Sequence, residues 1–252
     1  MKKLYAQLNS NGLPINVDIQ NAIDGFIYLG YDVIGFTETD VLSGKMDYRA
    51  KNNMFVGSID GMTALFKNID KYPVPIDFPD SIVLSGLLYR SIFTMTLDKF
   101  IEKFKQTNKP MFVKPVQTKL FDGVLISKEE HLNYLRGFDN PMVFVSDKID
   151  IVSEFRAYVH NDKLVYCCNY SGDFKLNPNY DYINRLIENY KNAPVAYTID
   201  VAILNDRNMT TILNGGGMTV VEFNDFWSIG SYGLYSIDYA KMLLDRYFEI
   251  IK

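Results

Sequence analysis

A proline-marked stretch, Lys71-Tyr72-Pro73-Val74-Pro75-Ile76-Asp77-Phe78-Pro79, divides this sequence into two rhythms, and the change limits the folds open to it. Proline fixes φ and donates no backbone hydrogen bond, so three prolines in seven residues suit an extended crossing segment. Before the stretch, strand-like and helix-like segments alternate. Residues 3–8 read as a strand. Residues 17–29 place Ile19, Ala22, Ile23, Phe26 and Ile27 at helical spacing. Residues 32–37 and 53–57 read as strands, and 60–68 as a helix with Met62, Leu65 and Phe66 on one side. Such a βαβ rhythm favours a parallel sheet.

After the stretch the rhythm becomes antiparallel-rich. Strands are predicted over 89–94, 110–115, 123–127, 142–145, 151–160 and 163–170, the last two as a hairpin. A helix over 96–106 has Thr96 as its N-cap, and a short one over 128–136 has Ser127. Helices over 180–190 and 238–251 flank a second hairpin, 196–204 with 218–224. The second half is therefore α+β. No Gly/Ser-rich linker or internal repeat interrupts the 252 residues, a length that suits one large domain or two modest ones.

Composition excludes several classes. The formal charge is -4 with Lys and Arg scattered, so no basic stripe marks a nucleic-acid surface. Eighteen Tyr and seventeen Phe fit a β-rich core better than base stacking. No run approaches the ~20 apolar residues of a membrane span, and the start, Met1-Lys2-Lys3 followed by a short stretch broken at Gln7 and Asn9, is a poor signal peptide. A cytoplasmic protein is expected. Cys167 and Cys168 are strand neighbours pointing to opposite faces, which suits core packing rather than a disulfide or metal ligation. His131 and His160 stand apart, against a His-based metal site or triad.

The chemistry-bearing residues lie on strands. In 219–224, alternation places Glu222 and Asn224 on one face and Val221 and Phe223 on the other. The polar pair, ~7 Å apart along the strand, offers hard oxygen ligands that suit Mg²⁺ held jointly with phosphates. In the hairpin partner, Thr198-Ile199-Asp200-Val201, Asp200 faces away from its apolar neighbours, and pairing of the two strands sets it beside Glu222. Adjacent carboxylates repel and commonly need a cation. A solvated hairpin face explains the same residues. Lys114, within the apolar strand Phe112-Val113-Lys114-Pro115, needs a partner such as a phosphate. Lys119 follows in a loop that can fold over a nucleotide, or is an ordinary surface lysine. Arg156, in Ser153-Glu154-Phe155-Arg156, shares a strand face with Glu154 and Tyr158 and can pair a phosphate or a carboxylate. The loop Asn214-Gly215-Gly216-Gly217 joins two strands and lacks a following Lys-Ser/Thr, so it is a turn and not a phosphate loop.

The order of these motifs, from the strand lysine through Glu-x-Arg and the Asp strand to Glu-x-Asn, resembles the ATP-grasp superfamily, near the branch of ribosomal-protein glutamate ligases. The resemblance covers residues from about 90 to 252. It implies an α+β ATP-grasp fold over 91–252, two subdomains gripping the nucleotide with a lid over about 96–148, preceded by a small α/β domain over 1–90. It also implies ATP and Mg²⁺ as cofactors. Lys114 would contact the α/β-phosphates and Lys119 would sit in the mobile phosphate cover. The segment Val145, Ser146, Asp147, Lys148 and Ile149 would receive adenine through its backbone. Glu154 would reach the ribose, and Arg156 would face the γ-phosphate. Asp200, Glu222 and Asn224 would hold the metal. Two departures stand out: the covering loop holds only Gly123 where many relatives are glycine-rich, and no Pro-Gly follows Asn224. The segment with Trp227, Ser231 and Tyr232 lies where the acceptor substrate is expected.

The implied reaction is ligation of a carboxylate to an amine, on an amino acid or a peptide, through an acylphosphate. A phosphotransferase on the same fold, or a non-catalytic nucleotide-binding protein, are the rival readings. No nucleic-acid or membrane partner is expected.

Overall fold

The computed structural model describes residues 2–43, 53–117, 120–205 and 217–252. The first unit is a parallel sheet in the order β2-β1-β3, made by β1 (Lys3–Gln7), β2 (Asp32–Phe36) and β3 (Asn53–Val56). Helix α1 (Val17–Tyr28) connects β1 to β2. Its first turn is closed by the Asn16 side chain, which accepts the Ile19 N–H at 2.9 Å. The short α2 (Glu38–Leu42) follows β2, and α3 (Ile59–Asn68) follows β3, capped by Ser58 accepting from the Gly61 N–H at 3.0 Å. The alternation predicted from periodicity is present, with boundaries moved by a residue or so.

The proline stretch holds no regular element, bends at Asp77 and Phe78, where Phe78 has φ 48, and leads to α4 (Asp80–Leu84), a short helix that periodicity did not indicate. Beyond it, β4 (Ile92–Thr96), α5 (Leu97–Thr107), β5 (Met111–Pro115), β6 (Val124–Ile126) and β7 (Met142–Asp147) form a four-stranded sheet in the order β4-β7-β5-β6 with α5 packed on it. Phe100 and Phe104 of α5 bury against Met111, Val113, Val143 and Val145. The segment expected as a short helix over 128–136 is a 3-10 turn, Glu129–Leu135, and Lys128 rather than Ser127 precedes it as the cap residue.

The other antiparallel sheet is ordered β11-β10-β8-β9, from β8 (Ile151–His160), β9 (Lys163–Gly172), β10 (Ala196–Leu204) and β11 (Met218–Asp225). Helix α6 (Tyr180–Asn189) covers one face, where Tyr182, Ile183, Leu186 and Ile187 pack on Phe155, Ala157, Val159, Ile199 and Val201. Helix α7 (Ser236–Ile251) joins the core of the parallel sheet instead, through Tyr239, Ala240, Leu243 and Tyr247. The chain's two ends thus share one core. Gly25 permits it, because a Cβ there would collide with the Ser236 backbone and reach 2.7 Å from the Ala240 Cβ. Cys167 packs into the α6 core and Cys168 into the α7 core, the opposite faces that alternation requires. Among the described residues no helix is long and apolar enough to cross a membrane.

Candidate active site

The strand register decides which polar groups meet. Asp200 of β10 lies opposite Glu222 of β11 on one side and opposite Arg156 of β8 on the other, and Thr198 faces Asn224. Val201, Ile199 and Phe223 point the other way into the α6 core, so burial of that apolar face fixes the polar one. Arg156 donates through Nε and Nη2 to the two Asp200 carboxylate oxygens at 2.8 and 2.6 Å, a bidentate pair that is fully buried on the aspartate side. The Asn224 amide nitrogen reaches Glu222 Oε1 at 2.9 Å and Asp200 Oδ2 at 3.4 Å. The three groups assigned from sequence to one cluster do converge.

The facing sheet supplies the cation. Lys114 of β5 extends to Glu222 Oε2 and to Asp77 Oδ2, both at 2.5 Å. Asp77 comes from the proline stretch and is tied to β11 by accepting the Phe223 N–H at 2.8 Å. One lysine is therefore clasped by carboxylates from the strap and from the opposite sheet. Burial disfavours the Lys114 ammonium, but the two carboxylates outweigh it and raise its proton affinity.

The neighbouring carboxylates are driven apart. Burial pushes Asp200 up to about 7 despite the Arg156 hydrogen bonds. Burial acts the same way on Glu222, yet Lys114 prevails and holds it down to about 2. Asp77 is raised, chiefly by burial, with Lys114 opposing. Divergent proton affinities in one cleft mark a candidate functional site.

A family model described as the ATP-grasp domain of the R2K clade, family 2, matches residues 87–242. The chain belongs to this ATP-grasp family. No curated protein matches the sequence. Solved structures share the fold at low identity. D-alanine–D-alanine ligase from Bacillus anthracis complexed with ATP is 14% identical, with 100% of this chain and 97% of that one covered and a TM-score of 0.54. A RimK-domain ATP-grasp protein from Sphaerobacter thermophilus is 14% identical, with 96% and 98% covered and a TM-score of 0.53. The macrocyclase MdnC bound with its precursor peptide, from Microcystis aeruginosa, is 12% identical, with 97% and 99% covered and a TM-score of 0.52.

Set in the ATP-grasp fold, the remaining expected residues fall as follows. Lys119 lies outside the described residues. Val145 and Ser146 are flanked by β4 on one side and β5 on the other, so their backbone groups already serve the sheet. Asp147 is paired only with Met111, and Lys148 and Ile149 lie beyond the strand, which leaves the end of the expected hinge as its available part. Glu154 is opposite Ala202, one step along the same face from Arg156. Trp227 packs edge-on against Phe66, and Ser231 donates its N–H and hydroxyl to Asp18 Oδ1 at 2.8 and 2.9 Å. The Tyr232 ring lies 4.7 Å from the Arg156 guanidinium, with Tyr170 at 5.2 Å, and Tyr232 has φ 40, a left-handed conformation costly for a bulky residue.

Two members of the site were not singled out from sequence. Asp77 seemed part of a connector, and only the tertiary crossing brings it to Lys114. Arg90 donates to the Val221 carbonyl at 3.1 Å, sits 5.7 Å from the Phe78 ring, and keeps a buried Nε without a partner. Burial lowers its pKa to about 10 against the pull of Asp77. A basic residue just ahead of β4 was the available signal.

Among the described residues, no group of three or more His, Cys, Asp or Glu side chains is arranged to hold a metal. The donor set at the site is two carboxylates and an amide. Because a half-turn of the Asn224 amide exchanges its nitrogen for its oxygen, the point facing both carboxylates can present a third oxygen ligand. That set fits Mg²⁺, which takes few protein ligands and keeps phosphate and water oxygens, better than a transition metal.

Proposed function

We propose that this protein is a Mg–ATP-dependent ligase that joins a carboxylate to an amine through an acylphosphate. One observation carries the reading: Lys114 from one antiparallel sheet and the Asp200–Glu222–Asn224 cluster from the other face each other across a single cleft. A cation opposite an oxygen cluster is the arrangement that a polyphosphate bridging a metal requires.

In this reading the adenine lies toward Asp147–Ile149, Glu154 meets the ribose, and Lys114 and Arg90 bind phosphate oxygens. Asp200, Glu222 and Asn224 hold Mg²⁺, which when bound neutralises charge on the transferring phosphoryl group. Arg156 keeps hydrogen-bonding capacity beyond its two bonds to Asp200 and lies against the Tyr170 and Tyr232 rings, where it stabilises charge on the transferred group. A substrate carboxylate oxygen bonds to the γ-phosphorus as the bond to ADP breaks. The amine nitrogen then bonds to the acyl carbon, inorganic phosphate leaves, and the amine's proton passes to solvent. The loop over 117–122, with Lys119, is assigned as the cover that keeps water from the acylphosphate.

Replacing Glu222 by Gln tests the assignment. Turnover measured as ADP release should fall by several orders of magnitude, with an unchanged circular-dichroism spectrum. A correctly folded variant with wild-type ADP release would overturn the metal assignment.

A further inference from the structure

Between the parallel sheet and the metal strand lies a cavity of about 280 Å³, just below the ~300–1,000 Å³ of pockets that hold drug-sized ligands. Its reactive end is formed by Arg156 and Glu222. One side of its wall is apolar and is contributed by both ends of the chain, through Met54, Met62, Trp227 and Leu243. Two polar features stand apart from the nucleotide cluster. Asp18, in the first turn of α1, uses Oδ1 to bind Ser231. Its Oδ2 lies beside Gly230, where a Cβ would come within 2.7 Å of it, so the glycine keeps this carboxylate oxygen approachable. Tyr247, 1% exposed, lines the same cavity with a hydroxyl that has no hydrogen-bond partner. A closed apolar core would not leave that hydroxyl without a partner.

The geometry points to a single free amino acid with an apolar side chain of about leucine or phenylalanine size as the occupant, its ammonium on Asp18 and its carboxylate toward Arg156. This rests on the ligase reading and narrows its carboxylate substrate. The cavity's size excludes a folded peptide, its apolar wall disfavours a charged side chain, and its one free carboxylate matches one ammonium.

Trp227 is the only tryptophan, so its fluorescence reports occupancy without turnover. Leucine, methionine and phenylalanine should each give a saturable change, measured with a non-hydrolysable ATP analogue and Mg²⁺ present. Glycine, glutamate and N-acetylleucine should bind at least about tenfold more weakly, the loss typical of a missing apolar group or a missing charge partner. Met62→Trp, followed by calorimetry, should lose leucine binding while keeping its affinity for the ATP analogue, which also certifies its fold. Glutamate or N-acetylleucine binding as well as leucine, or no saturable change with any apolar amino acid, overturns the inference. Neither result touches the ligase reading, which fails separately if wild type and Glu222→Gln release ADP alike.

Discussion

Asp200 and Glu222 are opposite one another across a strand pair, yet one is pushed to about 7 and the other held to about 2. Position explains the split. Glu222 meets Lys114, whereas Asp200 is wholly buried and its Arg156 bonds do not offset desolvation. Glu222 has a folded pKa below its ordinary 4.5, so its contribution to stability is complete above about 4.5 and is lost as pH falls through about 2. Glu222→Gln should therefore flatten the acid limb of a urea-midpoint-versus-pH curve, and an unchanged acid limb would contradict the Lys114–Glu222 pair. Lys114→Ala should weaken ATP binding by about tenfold or more, since a charge-assisted contact contributes roughly 1.5–3 kcal/mol. Unchanged affinity by calorimetry would remove Lys114 from the phosphate site. At this scale the sequence was informative where alternation governs: the Asp200–Glu222–Asn224 cluster follows from period two along paired strands. It was uninformative for Asp77 and Arg90, because nothing local tells a strap carboxylate that it will meet a lysine on another sheet.

Among the elements, α1 and α7 approach closely at Gly25. Gly25→Ala would drive a methyl into the Ser236 backbone and against Ala240, where no flexible side chain can yield. A loss of about 1–3 kcal/mol or more in urea unfolding is expected, as for overpacked cores. A loss below about 0.5 kcal/mol would mean that the helices do not meet there. Strand and helix identities were largely readable from periodicity, since most of each apolar stripe is buried; Ile27, expected in the α1 stripe, is instead 57% exposed. The misses have local causes. Residues 128–136 hold only a 3-10 turn, and α4 is too short to show a period. The expected hinge began too early because β7 continues through Ser146 and Asp147 into the middle of its sheet.

On the scale of the whole molecule, one cleft is built from three sequence regions: the strap with Asp77, the β4-β7-β5-β6 sheet with Lys114 and the sheet with Glu222. The α+β ATP-grasp fold was legible from the order of the polar strand motifs, Lys114, Arg156, Asp200 and Glu222, along the chain. The cavity bounded by β3, α1, α3 and α7 was not, because those elements carry no motif and their packing sets its shape. Of the residues expected at the acceptor, Trp227 and Tyr232 line this cavity, Tyr232 against Arg156, whereas Ser231 is bonded to Asp18.

The central claim is that the γ-phosphoryl group of ATP passes to a carboxylate. Incubating the protein with ATP, Mg²⁺ and a mixture of amino acids labelled with heavy oxygen in their carboxyl groups, then reading the released phosphate by mass spectrometry, tests it directly. The account predicts one heavy oxygen in each phosphate formed together with amide product, and none with Glu222→Gln. Unlabelled phosphate, or a stable phosphorylated product with no amide, would contradict it.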